Sequence, residues 1–365
     1  AGGTGALQQA GVNMMDRSIQ GSVWQRVQEA PERTAIVDAA GAELSYAELW
    51  ALASRGADAL RRLAGRRATA GTPQTPLPQL RVMVCVADGW QLPVLMLATL
   101  LADGVVVPAS TAAPPARLAA VLDDSECDVV VVRGALDGVP SLRAALALSA
   151  RPSTVLSLRE IVAPLEDGAF AAADARSTGE LARSRTQSPA ALSPPAVDDA
   201  SRLCHMIYTS GSTGVPKGVL VQHSALHAFV RGWSERLRIG AASRVLIASA
   251  HTFDPNIGNT FAALVAGGTV VTAARAQIGI ALGRTLLRTR ATHVCLTPTT
   301  LAMVDESPAL FLDLLSIQVG GEAMGRGLAR RWARAPRAAR KSSRRRPSRS
   351  RSLLPPGHGR ARRLL

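Results

Sequence analysis

The stretch of sequence that decides the fold is Tyr208-Thr209-Ser210-Gly211-Ser212-Thr213-Gly214-Val215-Pro216-Lys217-Gly218-Val219. Its glycines allow tight turns that bring backbone N–H groups against anionic oxygens, its hydroxyls add short donors, and its lysine adds positive charge. It is not a Walker loop, because Pro216 precedes the lysine and Gly218 follows it. A connecting loop rich in Ser and Gly is the alternative, but Lys217 is one of only two lysines in the chain. The stretch therefore predicts a loop that binds a phosphate chain.

Hydrophobic periodicity on both sides of this loop predicts an α/β fold. Short β-branched runs alternate with amphipathic stretches, which is typical of helices packed on mainly parallel sheets. Strands are predicted at 82–87, 129–132, 206–208, 245–248, 269–272, 294–296 and 317–319. Helices are predicted at 46–63, 94–101, 115–122, 224–237, 260–265 and 282–289. The phosphate loop is thus expected between a strand and a helix, and a capping box of Ser45 and Glu48 is expected to begin the first helix.

Composition and charge indicate a folded protein with a basic tail. The chain has 365 residues, 47% hydrophobic and 19% charged, which excludes a disordered protein. The net charge of +15 comes from residues 326–365, which contain fourteen Arg, one Lys and no acidic residue. That segment cannot bury enough apolar surface to fold alone. The apolar run 92–102 is shorter than the about 20 residues that span a bilayer, so it predicts a buried helix.

The domain organisation follows from these shifts in composition. Residues 1–20 are predicted to be an N-terminal linker, 21–325 one large domain, and 326–365 a low-complexity tail. Within the domain, residues 174–199 are rich in Ala, Ser and Pro and predict a surface insertion. The four cysteines form no CxxC pair, and we expect reduced core thiols. No secretory signal is visible, so a cytoplasmic location is expected, and no His or Cys spacing predicts a metal site.

The phosphate-loop stretch resembles a signature of the adenylate-forming enzymes, which include acyl-CoA synthetases, luciferases and the adenylation domains of nonribosomal peptide synthetases. Further elements follow in the family's order. They are Leu44-Ser45-Tyr46-Ala47-Glu48-Leu49, the helix and strand at 97–108, and Gly320-Gly321-Glu322-Ala323. The resemblance covers roughly residues 23–324 and is strongest to peptide synthetase adenylation domains. It implies the large N-terminal domain of that family, built of parallel-rich sheets with flanking helices.

The resemblance also implies a reaction. A carboxylate attacks the α-phosphate of ATP, giving an acyl-adenylate and pyrophosphate, and a thioester on the phosphopantetheine of a peptidyl carrier domain usually follows. ATP and Mg²⁺ are the expected cofactors. Lys217 and Thr213 are the implied catalytic residues. The implied nucleotide-binding residues are Thr209, Ser210, Gly211, Ser212, Thr213, Gly214, Lys217, Gly321, Glu322 and Ala323.

The substrate is expected to be an amino acid. His251-Thr252-Phe253-Asp254-Pro255-Asn256 resembles the Phe-Asp-x-Ser element of members that adenylate amino acids, with Asn256 in place of Ser. In those enzymes the Asp pairs with the α-ammonium group. An Asp that ends an apolar strand is costly to bury without a cation, and an amino acid would supply one. Alternatively, Asp254 caps the following helix. The implied pocket residues are Phe253, Asp254, Pro255, Gly258, Cys295, Gln318 and Gly320.

The sequence departs from the family after Glu322. The family's Tyr-Gly-Pro-Thr-Glu, whose Glu helps to hold Mg²⁺, is absent, as are the ribose-binding Asp and the second catalytic Lys. The change falls near Ala333 and is typical of a shifted reading frame in GC-rich DNA. A truncated, inactive adenylation domain is therefore expected. The alternatives are an acyl-CoA synthetase that uses fatty acids, a module that binds nucleotide without turnover, and a basic tail that binds nucleic acid.

Overall fold

The computed structural model describes residues 18–68, 79–162, 200–210 and 215–333. Four predicted features lie wholly or mostly outside these residues. They are the linker at 1–20, the insertion at 174–199, most of the tail at 326–365, and loop residues 211–214. In the described ranges, no helix is both long enough and apolar enough to cross a membrane.

Strands and helices alternate along the described part of the chain. The strands are β1 Thr34–Asp38, β2 Glu43–Ser45, β3 Arg81–Cys85, β4 Val105–Pro108, β5 Val129–Val132, β6 Thr154–Ser157, β7 Leu203–Ser210, β8 Pro216–Gln222, β9 Arg244–Leu246, β10 Thr269–Thr272, β11 His293–Leu296 and β12 Ser316–Val319. The helices are α1 Ile19–Glu29, α2 Tyr46–Ala68, α3 Gln91–Leu101, α4 Pro115–Asp124, α5 Pro140–Leu148, α6 Leu158–Val162, α7 His223–Leu237, α8 Asp254–Val265, α9 Arg275–Ile280, α10 Leu282–Thr289, α11 Pro298–Ala302 and α12 Arg326–Ala333. Two short 3₁₀ turns lie at Leu136–Gly138 and Pro308–Leu310.

The strands form two six-stranded sheets. Sheet A has the order β12-β11-β9-β10-β1-β2, and sheet B has the order β6-β5-β3-β4-β7-β8. Only the edge strands β2 and β8 pair antiparallel within these described sheets, and the other pairs are parallel. Short runs such as the four valines of β5 are buried along their whole length, as parallel strands covered on both faces require. The predicted α/β fold with parallel-rich sheets is confirmed.

The largest core lies between the two sheets. Helices α1, α2, α3 and α8 pack there against the inner faces of both sheets. Helix α3 is buried from Leu92 to Leu101, which confirms the buried helix predicted from the apolar run. Strand β3 alternates, with Val82 and Val84 facing this core and Met83 and Cys85 facing the outer layer that includes α4 and α5. The helices thus hold the two sheets at a fixed separation.

The first predicted helix begins where its capping box was expected. Glu48 N–H donates to Ser45 Oγ at 3.2 Å, and Ser45 N–H donates to Glu48 Oε2 at 2.7 Å. These bonds satisfy amides at the start of α2 that have no partner within the helix. The next residue, Tyr46, is buried, and its one hydroxyl hydrogen is shared between the carbonyls of Leu264 at 3.0 Å and Gly268 at 2.8 Å. The start of α2 is therefore fastened to the end of α8.

The segment after the phosphate loop differs from the sequence prediction. Residues expected to lead as a loop into a helix form strand β8, which pairs antiparallel with β7 from Leu203↔Gln222 to Ser210↔Pro216. Pro216 and Gly218 weaken the strand signal in the sequence, since both are rare inside strands. An edge strand tolerates Pro at its first position, where no ladder N–H is required. Long-range pairing with β7 therefore outweighs local preference.

Two boundaries also differ from those predicted. Helix α8 begins at Asp254, six residues before the predicted 260, because Pro255 lies in its first turn, where Pro is well tolerated. Helix α12 extends the packed chain to Ala333, and its buried Trp332 stacks on Phe311 with ring centroids 5.6 Å apart. Ordered packing therefore continues eight residues beyond the predicted boundary at 325.

Candidate functional site

The β7–β8 hairpin holds the two ends of the phosphate loop together. Thr209 pairs with Lys217 and Ser210 pairs with Pro216, and Thr209 Oγ1 lies 3.5 Å from the Lys217 carbonyl oxygen. The Lys217 side chain is exposed. The central residues 211–214, which include Thr213, lie outside the described residues. The hairpin therefore presents one cation and one hydroxyl at adjacent positions on either side of the loop.

A close contact anchors this hairpin near its loop end. Tyr208 Oη donates to Asp124 Oδ2 at 2.6 Å, and burial together with the Asp124 carboxylate raises the pKa of the tyrosine. A Cβ on Gly218 would lie 3.0 Å from Met206 Sδ and 3.1 Å from the Tyr208 ring, so the glycine lets β8 lie close to β7. The hairpin is thus fixed to α4 on its buried side, while its loop side is open.

The predicted pocket residues come from α8 and from two neighbouring strands. Cys295 of β11 and Gln318 of β12 are register partners in the parallel pair. The Gly320 N–H, just after β12, donates to the Leu296 carbonyl at 3.1 Å. Asp254 is near enough for its charge to act on the Cys295 thiol. Residues up to 66 positions apart in sequence therefore meet at the carboxyl ends of the strands, where α/β proteins commonly bind ligands.

Burial raises the pKa of the Cys295 thiol, and the Asp254 carboxylate adds to this effect, whereas a hydrogen bond with Asn259 opposes it. The thiol is therefore neutral at physiological pH. An uncharged sulfur is a soft apolar contact rather than a nucleophile. Cys295 thus suits a wall of a binding pocket.

Asp254 is exposed, contrary to the expectation that it is buried at the end of a strand. It is the first residue of α8, where the partial positive charge of the helix N-terminus stabilises a carboxylate. Phe253, the N-cap residue, is 62% exposed and makes no capping bond through its side chain. Phe253 and not Asp254 thus holds the N-cap position, so the alternative in which Asp254 caps the helix is wrong, whereas a carboxylate in the first turn can meet an incoming ammonium group.

Two asparagines in α8 organise this region, and sequence reasoning gave Asn259 no role. Asn259 Nδ2 donates to the Pro255 carbonyl at 2.7 Å, and its Oδ1 accepts from Trp233 Nε1 at 3.0 Å. Asn256 is buried and donates to the Ser249 carbonyl at 2.7 Å. The only signal in the sequence is two amides three residues apart in a helix that is otherwise mostly apolar. Their bonds fix the segment that carries Asp254.

His251 bridges the two sheets next to this segment. Its Nε2 donates to the Ala109 carbonyl, after β4, at 2.9 Å, and its Nδ1 lies 3.1 Å from Asp88 Oδ1, after β3. Arg275, at the start of α9, pairs with the other oxygen of Asp88 at 3.1 Å. These residues follow strands of both sheets, so the buried histidine ties the carboxyl edges together. Sequence reasoning quoted His251 without assigning it this role.

The Gly-Gly-Glu element forms a turn beside α11. Gly321 has φ +85°, a left-handed conformation that favours glycine. The exposed Glu322 accepts bonds from the hydroxyl of Thr299 at 2.5 Å and from its N–H at 3.1 Å, and these bonds lower the pKa of the carboxyl group. Ala323 is exposed next to it. Glu322 is therefore an ionised, positioned acceptor at the end of β12.

The described residues do not form a metal site by themselves. They contain no group of three or more His, Cys, Asp or Glu side chains able to hold a metal ion. The sequence also lacks the family's Glu after the Gly-Gly-Glu element. A Mg²⁺ ion at a nucleotide site is usually held by the substrate phosphates and only one or two carboxylates, so this finding does not contradict the ATP and Mg²⁺ that the resemblance implies.

A separate polar cleft of about 330 Å³ lies at the other end of α8, between α1 and α7. At its wall Ser22 Oγ lies 3.0 Å from both the Ser18 carbonyl and His227 Nε2. Because the hydroxyl has one hydrogen and a carbonyl only accepts, Ser22 donates to Ser18 and accepts from the histidine. Ser22 is therefore not activated as a nucleophile, and the cleft shares no residue with the predicted pocket.

Comparison with known proteins agrees with this architecture. A model of the AMP-binding enzyme family matches residues 23–340. Nonribosomal peptide synthetase 7 of Gibberella zeae is 32% identical over 256 residues, which cover 70% of this chain and 5% of the synthetase. The chain therefore spans a small part of that relative.

Solved structures share the fold. The peptide synthetase FmoA3, bound to α-methyl-L-serine-AMP, has a TM-score of 0.65 at 24% identity, covering 86% of this chain and 31% of its own. The N-terminal domain of FACL13 from Mycobacterium tuberculosis has a TM-score of 0.67 at 20% identity, covering 87% and 73%. The predicted resemblance is thus confirmed, and the chain belongs to the AMP-binding enzyme family.

Proposed function

We propose that this chain contains the amino-acid and ATP sites of a peptide synthetase adenylation domain, which forms an aminoacyl-adenylate and pyrophosphate. The observation that carries the proposal is the position of Asp254. It lies exposed in the first turn of α8, near enough to Cys295 of β11 for its charge to contribute to the raised pKa of that thiol. In the described part of the chain, no basic side chain pairs with it. An exposed, unpaired carboxylate beside an otherwise uncharged pocket is suited to an α-ammonium group.

The β7–β8 hairpin supplies the proposed phosphate site. Lys217 and the Thr209 hydroxyl flank the loop, and the sequence adds backbone N–H groups and hydroxyls from residues 210–214. Such preorganised donors stabilise the negative charge that moves along a triphosphate when its α-phosphate is attacked. Gly321, Glu322 and Ala323, at the end of β12, are proposed to contact the nucleoside. FmoA3, which shares the fold, is known with an aminoacyl-AMP bound.

The chemistry is mainly positioning. The substrate carboxylate attacks the α-phosphorus in line with the departing pyrophosphate, so one P–O bond forms and one breaks. Lys217 is the proposed catalytic cation, and Thr213 is proposed to donate to a phosphate oxygen. The acyl group would then pass to the phosphopantetheine thiol of a carrier domain, releasing AMP. The similarity to peptide synthetases supports this last step.

The test is ATP–pyrophosphate exchange with the twenty amino acids, together with calorimetric titration of ATP. Removal of one such donor typically lowers the rate by about 10²- to 10³-fold, so Lys217→Ala should lower exchange by that factor and weaken ATP binding. Lys217→Arg, which keeps the charge, should retain part of both. Arg143→Ala, at an exposed position on α5, is the matched control and should change neither. Equal exchange by wild type and Lys217→Ala would contradict the assignment.

A second candidate is nucleotide binding without turnover. It is favoured by one observation, the absence of Tyr-Gly-Pro-Thr-Glu after Glu322. ATP binding that depends on Lys217, with no exchange for any amino acid, would select it. Exchange that depends on fatty acids would instead indicate an acyl-CoA synthetase. Absence of both binding and exchange would overturn the proposed function.

A further inference from the structure

Phe229 of α7 lies against the predicted pocket, although sequence reasoning gave it no role. It contacts the pocket at Gly258, one of the implied lining residues. A Cβ built on Gly258 would lie 2.6 Å from Phe229 Cε1, a distance that forces one of the two groups to move. The aromatic ring therefore occupies the space that a side chain at position 258 would fill. The ring, and not residue 258, forms this side of the pocket.

Several contacts hold the ring in place. Phe229 stacks on Trp233, one helical turn away, with ring centroids 5.6 Å apart and an interplanar angle of 19°. Trp233 donates to Asn259 Oδ1 at 3.0 Å, and Asn259 donates to the Pro255 carbonyl at 2.7 Å. A chain of contacts thus links the ring to the first turn of α8. The position of Phe229 is set by the same helix that carries Asp254.

The free face of Phe229 is available to a ligand. The side chain is 48% exposed although it stacks on Trp233. Its neighbours in the pocket are uncharged apart from Asp254. The thiol of Cys295 is neutral because burial raises its pKa, and Gln318 and Gly320 carry no charge. A charged ligand group would lose hydration here without gaining a partner, whereas an apolar group would lose nothing.

We propose that Phe229 determines substrate specificity, and that the substrate is an amino acid with an apolar side chain. This inference rests on the proposed function. The α-ammonium group meets Asp254, and the side chain packs on the free face of Phe229 and on the Cys295 sulfur. Aromatic and sulfur contacts of this kind favour apolar groups. Because Gly258 lacks a Cβ, the ring can lie close to the substrate.

The experiment measures binding, so it does not require turnover. The probes are 5′-O-(aminoacyl)sulfamoyl adenosines of Leu, Phe, Ser, Glu and Lys, titrated calorimetrically into the full chain. The wild type should bind the Leu or Phe compound at least about 10-fold more tightly than the Glu and Lys compounds, as differences in apolar contact typically produce. Phe229→Ala should lose about 10-fold affinity for the apolar compounds. Its affinity for the Ser compound should change less than about 3-fold.

Matched variants separate specificity from folding. Leu148→Ala removes a side chain that is 63% exposed on α5 and should leave the binding profile unchanged. Gly258→Ala adds the Cβ that displaces the ring and should mimic Phe229→Ala. The double variant Phe229→Ala with Gly258→Ala should then lose less affinity for the apolar compounds than the sum of the two single losses, because both substitutions remove the same contact. Circular dichroism establishes that each variant is folded.

The outcomes distinguish the two proposals. If the wild type binds the compounds and Phe229→Ala binds them with the same profile, the inference is overturned while the proposed function stands. Preference of the wild type for the Glu or Lys compound would also overturn it. If the wild type binds none of the compounds, the proposed function is overturned and the inference falls with it.

Discussion

The β7–β8 hairpin and the α8 pocket are built in opposite ways. The hairpin is contiguous in sequence, its functional side chains are exposed, and its buried side is fixed by one phenol–carboxylate bond between Tyr208 and Asp124. The predicted pocket combines residues of α8, β11 and β12, and the bonds of Asn259 with Trp233 and Pro255 tie α8 to α7 beside it. Chemistry at the hairpin therefore depends on groups that add little to stability. Groups in the pocket contribute both to chemistry and to the stability of the fold.

The comparison shows where substitutions separate function from folding. Removing Lys217 should change nucleotide binding but not the unfolding temperature, since exposed lysines rarely matter to stability. Removing the Asn259 side chain should change both substrate binding and the unfolding temperature. Substitutions in the hairpin thus test catalysis and nucleotide binding, and substitutions beside the pocket test how the fold supports them.

The largest effect on stability is expected at Asn259. Asn259→Leu leaves the part-buried Trp233 N–H without its partner, which costs about 1–3 kcal/mol, and removes the side-chain donor to the Pro255 carbonyl, which costs a further about 0.5–1.5 kcal/mol. Unfolding in urea should show a loss of about 2–4 kcal/mol. Thr209→Val in the hairpin, which removes only a 3.5 Å contact, is the control and should cost less than about 0.5 kcal/mol.

The Asn259 prediction has an internal check. Trp233→Phe removes the indole N–H, so the double variant Asn259→Leu with Trp233→Phe should lose less than the sum of the two single losses. Additive losses would show that the 3.0 Å bond does not couple these helices. If Thr209→Val lowers the free energy of unfolding as much as Asn259→Leu does, the hairpin and the pocket do not differ in how much their side chains stabilise the fold.

A smaller effect is expected from pH at the buried strand of the hairpin. Burial lowers the pKa of His205 in β7 to about 4, so the folded protein holds it neutral while the unfolded chain protonates near 6.5. The unfolded state then binds more protons, and stability falls as pH decreases through this window. Between pH 7 and pH 5 the loss should be about 2 kcal/mol, at 1.36 kcal/mol per pKa unit. Urea unfolding at several pH values measures it.

His205→Asn should remove this part of the pH dependence. His293 of β11 is also buried with a lowered pKa, so a shallower slope should remain. An unchanged slope in His205→Asn would show that the residue does not remain neutral in the folded state. Since His293 lies in sheet A beside the pocket, comparing His205→Asn with His293→Asn assigns the acid sensitivity to one region or the other.

The sequence alone was informative where the chemistry is local. The capping box of Ser45 and Glu48 and short apolar strands such as β5 are each specified by adjacent residues, and both predictions are confirmed. The phosphate-binding role of the loop stays a prediction. Strand β8 was missed because its pairing with β7 outweighs the weak preferences of Pro216 and Gly218. The contacts of Phe229 and His251 were missed for another reason. Each depends on a contact between elements distant in sequence, which no local pattern encodes.

The smallest effect is expected at Gly218, where the hairpin is most tightly packed. Gly218→Ala places a Cβ 3.0 Å from Met206 Sδ and 3.1 Å from the Tyr208 ring. Methionine moves easily, but the ring is held by Asp124, so the strand must shift by a few tenths of an ångström. The cost in urea unfolding should be about 1 kcal/mol, at the low end for overpacking. Val219→Ala, at the next and half-exposed position of β8, should cost less. If Gly218→Ala leaves the free energy of unfolding unchanged, β8 can move away from β7 at no cost. The ends of the phosphate loop are then held less rigidly than the pocket.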